Sequence, residues 1–180
     1  MSEVAALKVT TTLTPIDKNG LDALAQKGKA NPQNVVTLKT KTVCESKFRN
    51  LNFVRDLPAH VIDEPPNLLG DDTAPNPSEA ALATLGSCLS VGLHANAVAR
   101  GITLSKIELE LEGDINVTAV WGVGDMSPGK VLGFTDIRVK VHLESDASDS
   151  ELQALVAHAN QWSPVANTMR NPVGVTVALA

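Results

Sequence analysis

The sequence predicts an α+β domain in which a largely antiparallel sheet wraps one long, buried central helix. Three observations carry that prediction. Residues 77–100 form an apolar run with helix signals at both ends. Residues 103–120 and 132–144 alternate apolar and charged side chains, as strands with one wet face do. A second helical stripe, Leu152, Leu155, Val156 and Ala159, follows them. The predicted order is two strands, the long helix, two strands, a helix and a last strand.

Composition narrows the function. The 180 residues are 43% hydrophobic with a net charge of −5, which suits one domain with a proper core and argues against a nucleic-acid-binding face. Two Trp, three Phe and no Tyr leave few platforms for stacking single-stranded bases. Two cysteines are too few for an all-cysteine zinc site or a disulfide-dense secreted scaffold. The opening MSEVAALKVT has no basic stretch before an apolar run, so no signal peptide is expected. A cytoplasmic setting follows, where a cysteine with a role is more often chemical than structural.

Residues 1–34 read as a peripheral extension, with turns at Asn19-Gly20 and Asn31-Pro32 and a short solvated helix between them. The main domain is expected over 35–180. Residues 35–47 alternate as a half-buried strand, and 51–63 read as a second, broken at Pro58. The Pro-, Gly- and Asp-rich stretch that follows is an ordered loop. Asn76 then suits an N-cap, Pro77 the first helical turn and Glu79 the N3 position, while Arg100 and Gly101 close the helix. Its length would suit a membrane span. Gly86, Ser87, Ser90, Gly92, His94 and Asn96 argue instead for burial in protein on all sides, with small residues admitting close neighbours. Ile107, Leu109 and Leu111 oppose Glu108, Glu110 and Glu112 on the next strand, and Ile137, Val139 and Val141 oppose Arg138, Lys140 and His142 on the one after. Gly122, Gly124 and Gly129 in the connection read as turn residues. Ser148 and Glu151 form a capping box, Ser163-Pro164 starts a further helical turn, and 172–179 read as the last strand.

Cys88 lies in mid-helix. At about 100° per residue its face carries Ala81, Thr84, Leu85, Val91, Gly92 and Ala95, with no base or cation. Helix geometry leaves two readings open. Cys88 is a small buried hydrophobe, or another segment brings it a cation, such as Arg49 or Arg55, that favours the thiolate.

The run N-P-S-E-A-A-L-A-T-L-G-S-C-L resembles the helix of the OsmC/Ohr family, the osmotically inducible and organic-hydroperoxide-resistance proteins. DEPPNLLGDDTAPNPSE resembles the loop before that helix in OsmC-like members. HANQWSPVANTM resembles the segment that holds the family's second cysteine. The resemblance implies an intertwined homodimer with active sites at the subunit interface. It implies a peroxidatic cysteine at Cys88, assisted by an Arg and a Glu and resolved by a second cysteine. Two positions depart from the pattern. Ser78 stands where the family's Glu directly follows the Pro, and Glu79, one step around the helix, reads first as a cap. Ser163 occupies the second-cysteine position and cannot form a disulfide. Cys44 is left as a candidate resolving thiol or as an ordinary strand residue, and Arg55, then Arg49, as the thiolate-stabilising cation.

The expected activity is therefore thiol-dependent reduction of organic hydroperoxides, part of oxidative stress defence. Cys88 is the nucleophile, an external thiol the reductant, and no metal, haem or flavin is needed. No nucleic-acid or membrane partner is expected. The alternative is a catalytically weak OsmC-like dimer that binds an apolar small molecule or senses redox state, and a structural stress protein is the third reading. His60, His94, His142 and His158 lack ligand spacing. Asp63, Glu64, Asp71 and Asp72 read as a solvated acidic loop.

Overall fold

The computed structural model describes residues 13–180, so the expectation about the first ten residues lies outside the described part. Among the described residues two antiparallel sheets and four α-helices make up an α+β fold. Helix α1 (Lys18–Ala30) is capped by Asp17, buries no residue of its own and leans on the long helix. Strands β1 (Lys41–Ser46), β2 (Arg49–Phe53) and β3 (His60–Ile62) form one sheet in that order. Helix α2 (Pro77–Arg100) follows, then β4 (Leu104–Asn116) and β5 (Gly133–Ser145) as a long hairpin. Helices α3 (Asp149–Trp162) and α4 (Pro164–Arg170) complete the chain's regular structure.

The ends of α2 are set by local chemistry. Asn76 Oδ1 accepts from Glu79 N at 2.9 Å and Glu79 Oε2 from Asn76 N at 2.8 Å. Gly101 stops the helix at φ 72°, a left-handed conformation that costs a residue without Cβ little.

Hairpin pairing follows the charge pattern. Leu109 faces Val141 and Leu111 faces Val139 across the ladder, turning one apolar side to α2. On the other side Glu108 faces His142, Glu110 faces Lys140 and Glu112 faces Arg138, and where Asp114 faces Asp136 the Arg138 guanidinium bridges the two carboxylates. One buried cluster joins Leu93, Ala97, Leu104, Leu155 and Ala159; another joins Leu85, Leu89 and Ala166. Gly92 admits α3 closely, since a Cβ there would sit 3.5 Å from that of Ala159.

Three expectations need correction. Within one chain α2 is not covered on all sides: Leu85, Gly86, Leu89, Leu93 and Ala97 are buried, whereas Val91 is 70% exposed. The helix meets β4, α3 and α4 mainly along one face. Residues 172–179 form no strand, and the first strand starts at Lys41 rather than at 35. A strand exists only where a neighbour takes up its backbone donors and acceptors. Among the described residues neither segment has one, and Val35, Leu38, Val175 and Val177 stand in the open. Last, the acidic loop is not wholly solvated: Asp63 is 1% and Glu64 7% exposed.

Candidate functional site

Ser163 separates α3 from α4. Proline at 164 disfavours helical backbone in the residue before it, and Ser163 takes φ −69° and ψ 117°, ending one helix and capping the next. Its hydroxyl accepts from Ala166 N at 3.1 Å and donates to Cys88 Sγ at 3.2 Å. One hydroxyl can do both, because it carries one proton and two lone pairs. Ser163 is only 3% exposed, so this geometry is held by packing. Cys88 itself is half-buried. Beside this pair Leu85, Leu89 and Ala166 line a cavity of about 730 Å³ that runs under Ile137, Val139 and Val141 of β5.

The remaining candidates lie elsewhere. Arg49 starts β2 and pairs with Glu45 at 2.9 Å, and its Nη1 is buried with no partner among the described residues. Arg55 follows β2 in a turn, exposed, at φ 51°. Cys44 is exposed on β1 and its thiol donates to the Lys47 carbonyl at 3.3 Å. All three belong to the first sheet or its edge, and that sheet makes no extensive contact with α2 within the chain. Glu79 is committed to the helix cap, and Ser78 lies beside it facing a second cavity.

Sequence reading missed the loop that precedes α2. Asp63 accepts from Glu64 N at 2.8 Å, from Thr73 N at 3.1 Å and from the Thr73 hydroxyl at 2.7 Å. The Thr73 hydroxyl, with further help from backbone N–H groups, holds the Asp63 carboxyl below its ordinary range against the opposing effect of burial. Glu64 is the opposite case. Burial, then the charges of Glu79 and Asp63, push its carboxyl up. No residue-type pattern marks a carboxylate that its own loop folds inward.

Residues 70–178, more than half of the chain, match the family model described as OsmC-like protein. The chain belongs to the OsmC-like family. No curated protein matches it. Solved structures show the same fold. An OsmC-like protein from Mycoplasma pneumoniae superposes with a TM-score of 0.63 at 17% identity, over 75% of this chain and 88% of that one. An organic hydroperoxide resistance protein OsmC from Legionella pneumophila gives 0.55 at 22% identity, over 77% and 92%. An organic hydroperoxide resistance protein from Elizabethkingia anophelis, with thiocyanate bound, gives 0.55 at 18% identity, over 77% and 91%. At such identities the likeness concerns the OsmC-like fold, and the chemistry must be argued from this chain's own residues.

Proposed function

We propose that this OsmC-like protein reduces organic hydroperoxides with Cys88 as its nucleophile and an external thiol as reductant, in defence against oxidative stress. The observation that carries the reading is the Ser163 hydroxyl, 3.2 Å from Cys88 Sγ, at the place where the resemblance puts a second cysteine. A hydroxyl aimed at the sulfur stabilises charge on it. It cannot trap the sulfur as a disulfide.

The Cys88 thiolate attacks the hydroperoxide oxygen that carries the proton. The O–O bond breaks, the sulfur is oxidised to a sulfenic acid, and the alkoxide leaves as alcohol after taking a proton. A first external thiol attacks the sulfenic sulfur, releasing water and leaving a mixed disulfide. A second thiol attacks that disulfide, restores the Cys88 thiol and departs oxidised. The cavity beside Cys88 is apolar where Leu85, Leu89 and Val139 line it and polar at Asp136, Asn160 and Arg170, which suits an organic tail with a polar end. We assign the arginine that the mechanism requires to Arg55 or Arg49 of a partner subunit, since the first sheet makes no extensive contact with α2 among the described residues. This is the intertwined homodimer of the family resemblance. The uncovered face of α2 and the unpaired segments near residues 35 and 175 support it. The domain spans 35–180, with 1–34 as a peripheral extension.

The test is cumene hydroperoxide consumption with excess dithiol by the wild type, Cys88→Ser and Cys44→Ser. Many turnovers per subunit, abolished by Cys88→Ser and kept by Cys44→Ser, are expected. Consumption no higher than in Cys88→Ser refutes the reading. The same cavity, with Ser78 and Ser163 in place of catalytic residues, supports the second reading of a weakly active binder or redox sensor. A single oxidation of Cys88 without turnover would identify it.

A further inference from the structure

The cavity beside the Cys88–Ser163 pair carries a charge that nothing else in its wall offsets. It measures about 730 Å³, within the range of small-molecule sites. α2 lines it with Leu85, Leu89 and Leu93, and β5 with Ile137, Val139 and Val141. The charged residues of the wall are Asp136 and Arg170. Asp136 is already paired, accepting from Arg138 Nη1 at 2.7 Å. Thr135 is committed too, since its hydroxyl donates to the Asp114 carbonyl at 3.1 Å.

Arg170 differs. It stands in the last turn of α4 and donates twice to Asn160 of α3, from Nη1 to the backbone carbonyl at 3.3 Å and from Nη2 to the side-chain Oδ1. Both acceptors are neutral. A guanidinium has five N–H donors, so three remain. Among the described residues no carboxylate pairs with it, and it is exposed, so an incoming group can reach it. The bonds to Asn160 hold the planar head in place beforehand, which reduces what binding must order. Arg170 also lies four residues beyond Ala166, whose N–H meets Ser163, or about 6 Å further along the helix. A head group held there sits apart from the sulfur, with the apolar walls of Leu85 and Leu89 beside it. An apolar chamber with one pre-positioned guanidinium matches a molecule with an apolar body and an anionic head. A carboxylate fits that fork through two parallel N–H···O bonds.

We propose that this cavity binds a medium-chain organic carboxylate, its oxygens on the Arg170 guanidinium and its alkyl chain along Leu85, Leu89 and Val139. The inference deepens the peroxidase reading by naming the polar end of the molecule that the cavity takes. It rests on that reading only where the bound acid itself carries a hydroperoxide.

The test is calorimetric titration of the full chain near neutral pH with decanoate, the neutral 1-decanol and decylammonium. Decanoate should bind one site per chain, more tightly than the alcohol, and decylammonium more weakly than either. Arg170→Gln should weaken decanoate about 5- to 30-fold, the worth of hydrogen bonds to a charged group near solvent. Binding of 1-decanol should be equal in wild type and Arg170→Gln, which also shows that the variant keeps its cavity. Absence of decanoate binding overturns the proposal, and is the result expected if residues 172–179 of either subunit fill the cavity instead. Equal decanoate binding by wild type and Arg170→Gln overturns it as well. Decanoate that binds the wild type no more tightly than 1-decanol overturns it without recourse to any variant. Decanoate carries no peroxide, so these outcomes are read whether or not cumene hydroperoxide is consumed. If it is consumed, decanoate should raise its KM and leave kcat, and an unchanged KM overturns the placing of acid and hydroperoxide in one cavity.

Discussion

Replacing Ser163 by cysteine should give this chain an internal disulfide. The hydroxyl oxygen lies 3.2 Å from Cys88 Sγ, and a disulfide places its sulfurs about 2.05 Å apart, so roughly 1 Å of closure is needed. The two positions are 75 residues apart, and closing a loop of that length removes unfolded-state entropy worth about 4.5 kcal/mol. Strain at closure offsets part of it, leaving about 2–4 kcal/mol. For a domain of this size each kcal/mol moves Tm by roughly 3 °C. The oxidised variant should therefore melt roughly 6–12 °C above its reduced form. The reduced variant should melt slightly below wild type, because cysteine is a poorer cap for Ala166 N and a lost cap costs about 1 kcal/mol. Alkylation followed by mass analysis reads the same event: after oxidation Cys44 alone should remain free. If all three cysteines of the oxidised variant still react and the two melting curves coincide, the Cys88–Ser163 contact is wrong and the site falls with it.

Other perturbations probe the frame around the site. Leu155 is fully buried between α2 and the hairpin, so Leu155→Ala should cost about 2–5 kcal/mol in a denaturant titration, with unchanged slope. Gly70→Ala places a Cβ 1.8 Å from the Glu64 carbonyl oxygen; the loop must open, and hydrogen exchange at the Thr73 and Glu64 amides should accelerate while the β4–β5 ladder keeps its protection. The pairing of Asp125 with Lys130 and Ser127 lowers its pKa to about 2. A carboxyl with a depressed folded pKa contributes stability above its unfolded value, about pH 4, and loses it as pH falls toward 2. The melting difference between wild type and Asp125→Asn should accordingly be widest near neutrality and close below about pH 4; a constant difference would refute the linkage.

What could be read from the sequence was what depends on neighbours within a few residues. The caps of α2 and α3 need only Asn76 with Glu79 and Ser148 with Glu151, and both boxes form. The register of the hairpin follows from alternation that suits only one face. Ser163 as a cap before Pro164 was equally local, and its reach to Cys88 came with the packing of α4 on α2. Residues 35–40 and 172–179 have the alternation or apolar content of strands, yet pairing is a property of two segments and cannot be read from one. Asp63 and Glu64 looked like surface because acidic runs usually are. Their burial depends on the backbone of Gly70 passing close to Glu64 and on Thr73 satisfying Asp63, contacts across six to ten residues of loop.

These gaps have one physical direction. Among the described residues nothing covers Ala83, Thr84, Ser87 and Val91 of α2, and the apolar segments near residues 35 and 175 lack partners. Arg49 keeps a buried Nη1 without a partner among the described residues, on a sheet that makes no extensive contact with the helix of the thiol it is expected to serve. Each of these is costly for an isolated chain, and a second copy can offset all three together by adding strands, covering the helix and bringing a guanidinium across. Under the proposed dimer the nucleophile and its hydroxyl donor come from one subunit and its cation from the other. Activity would then depend on protein concentration.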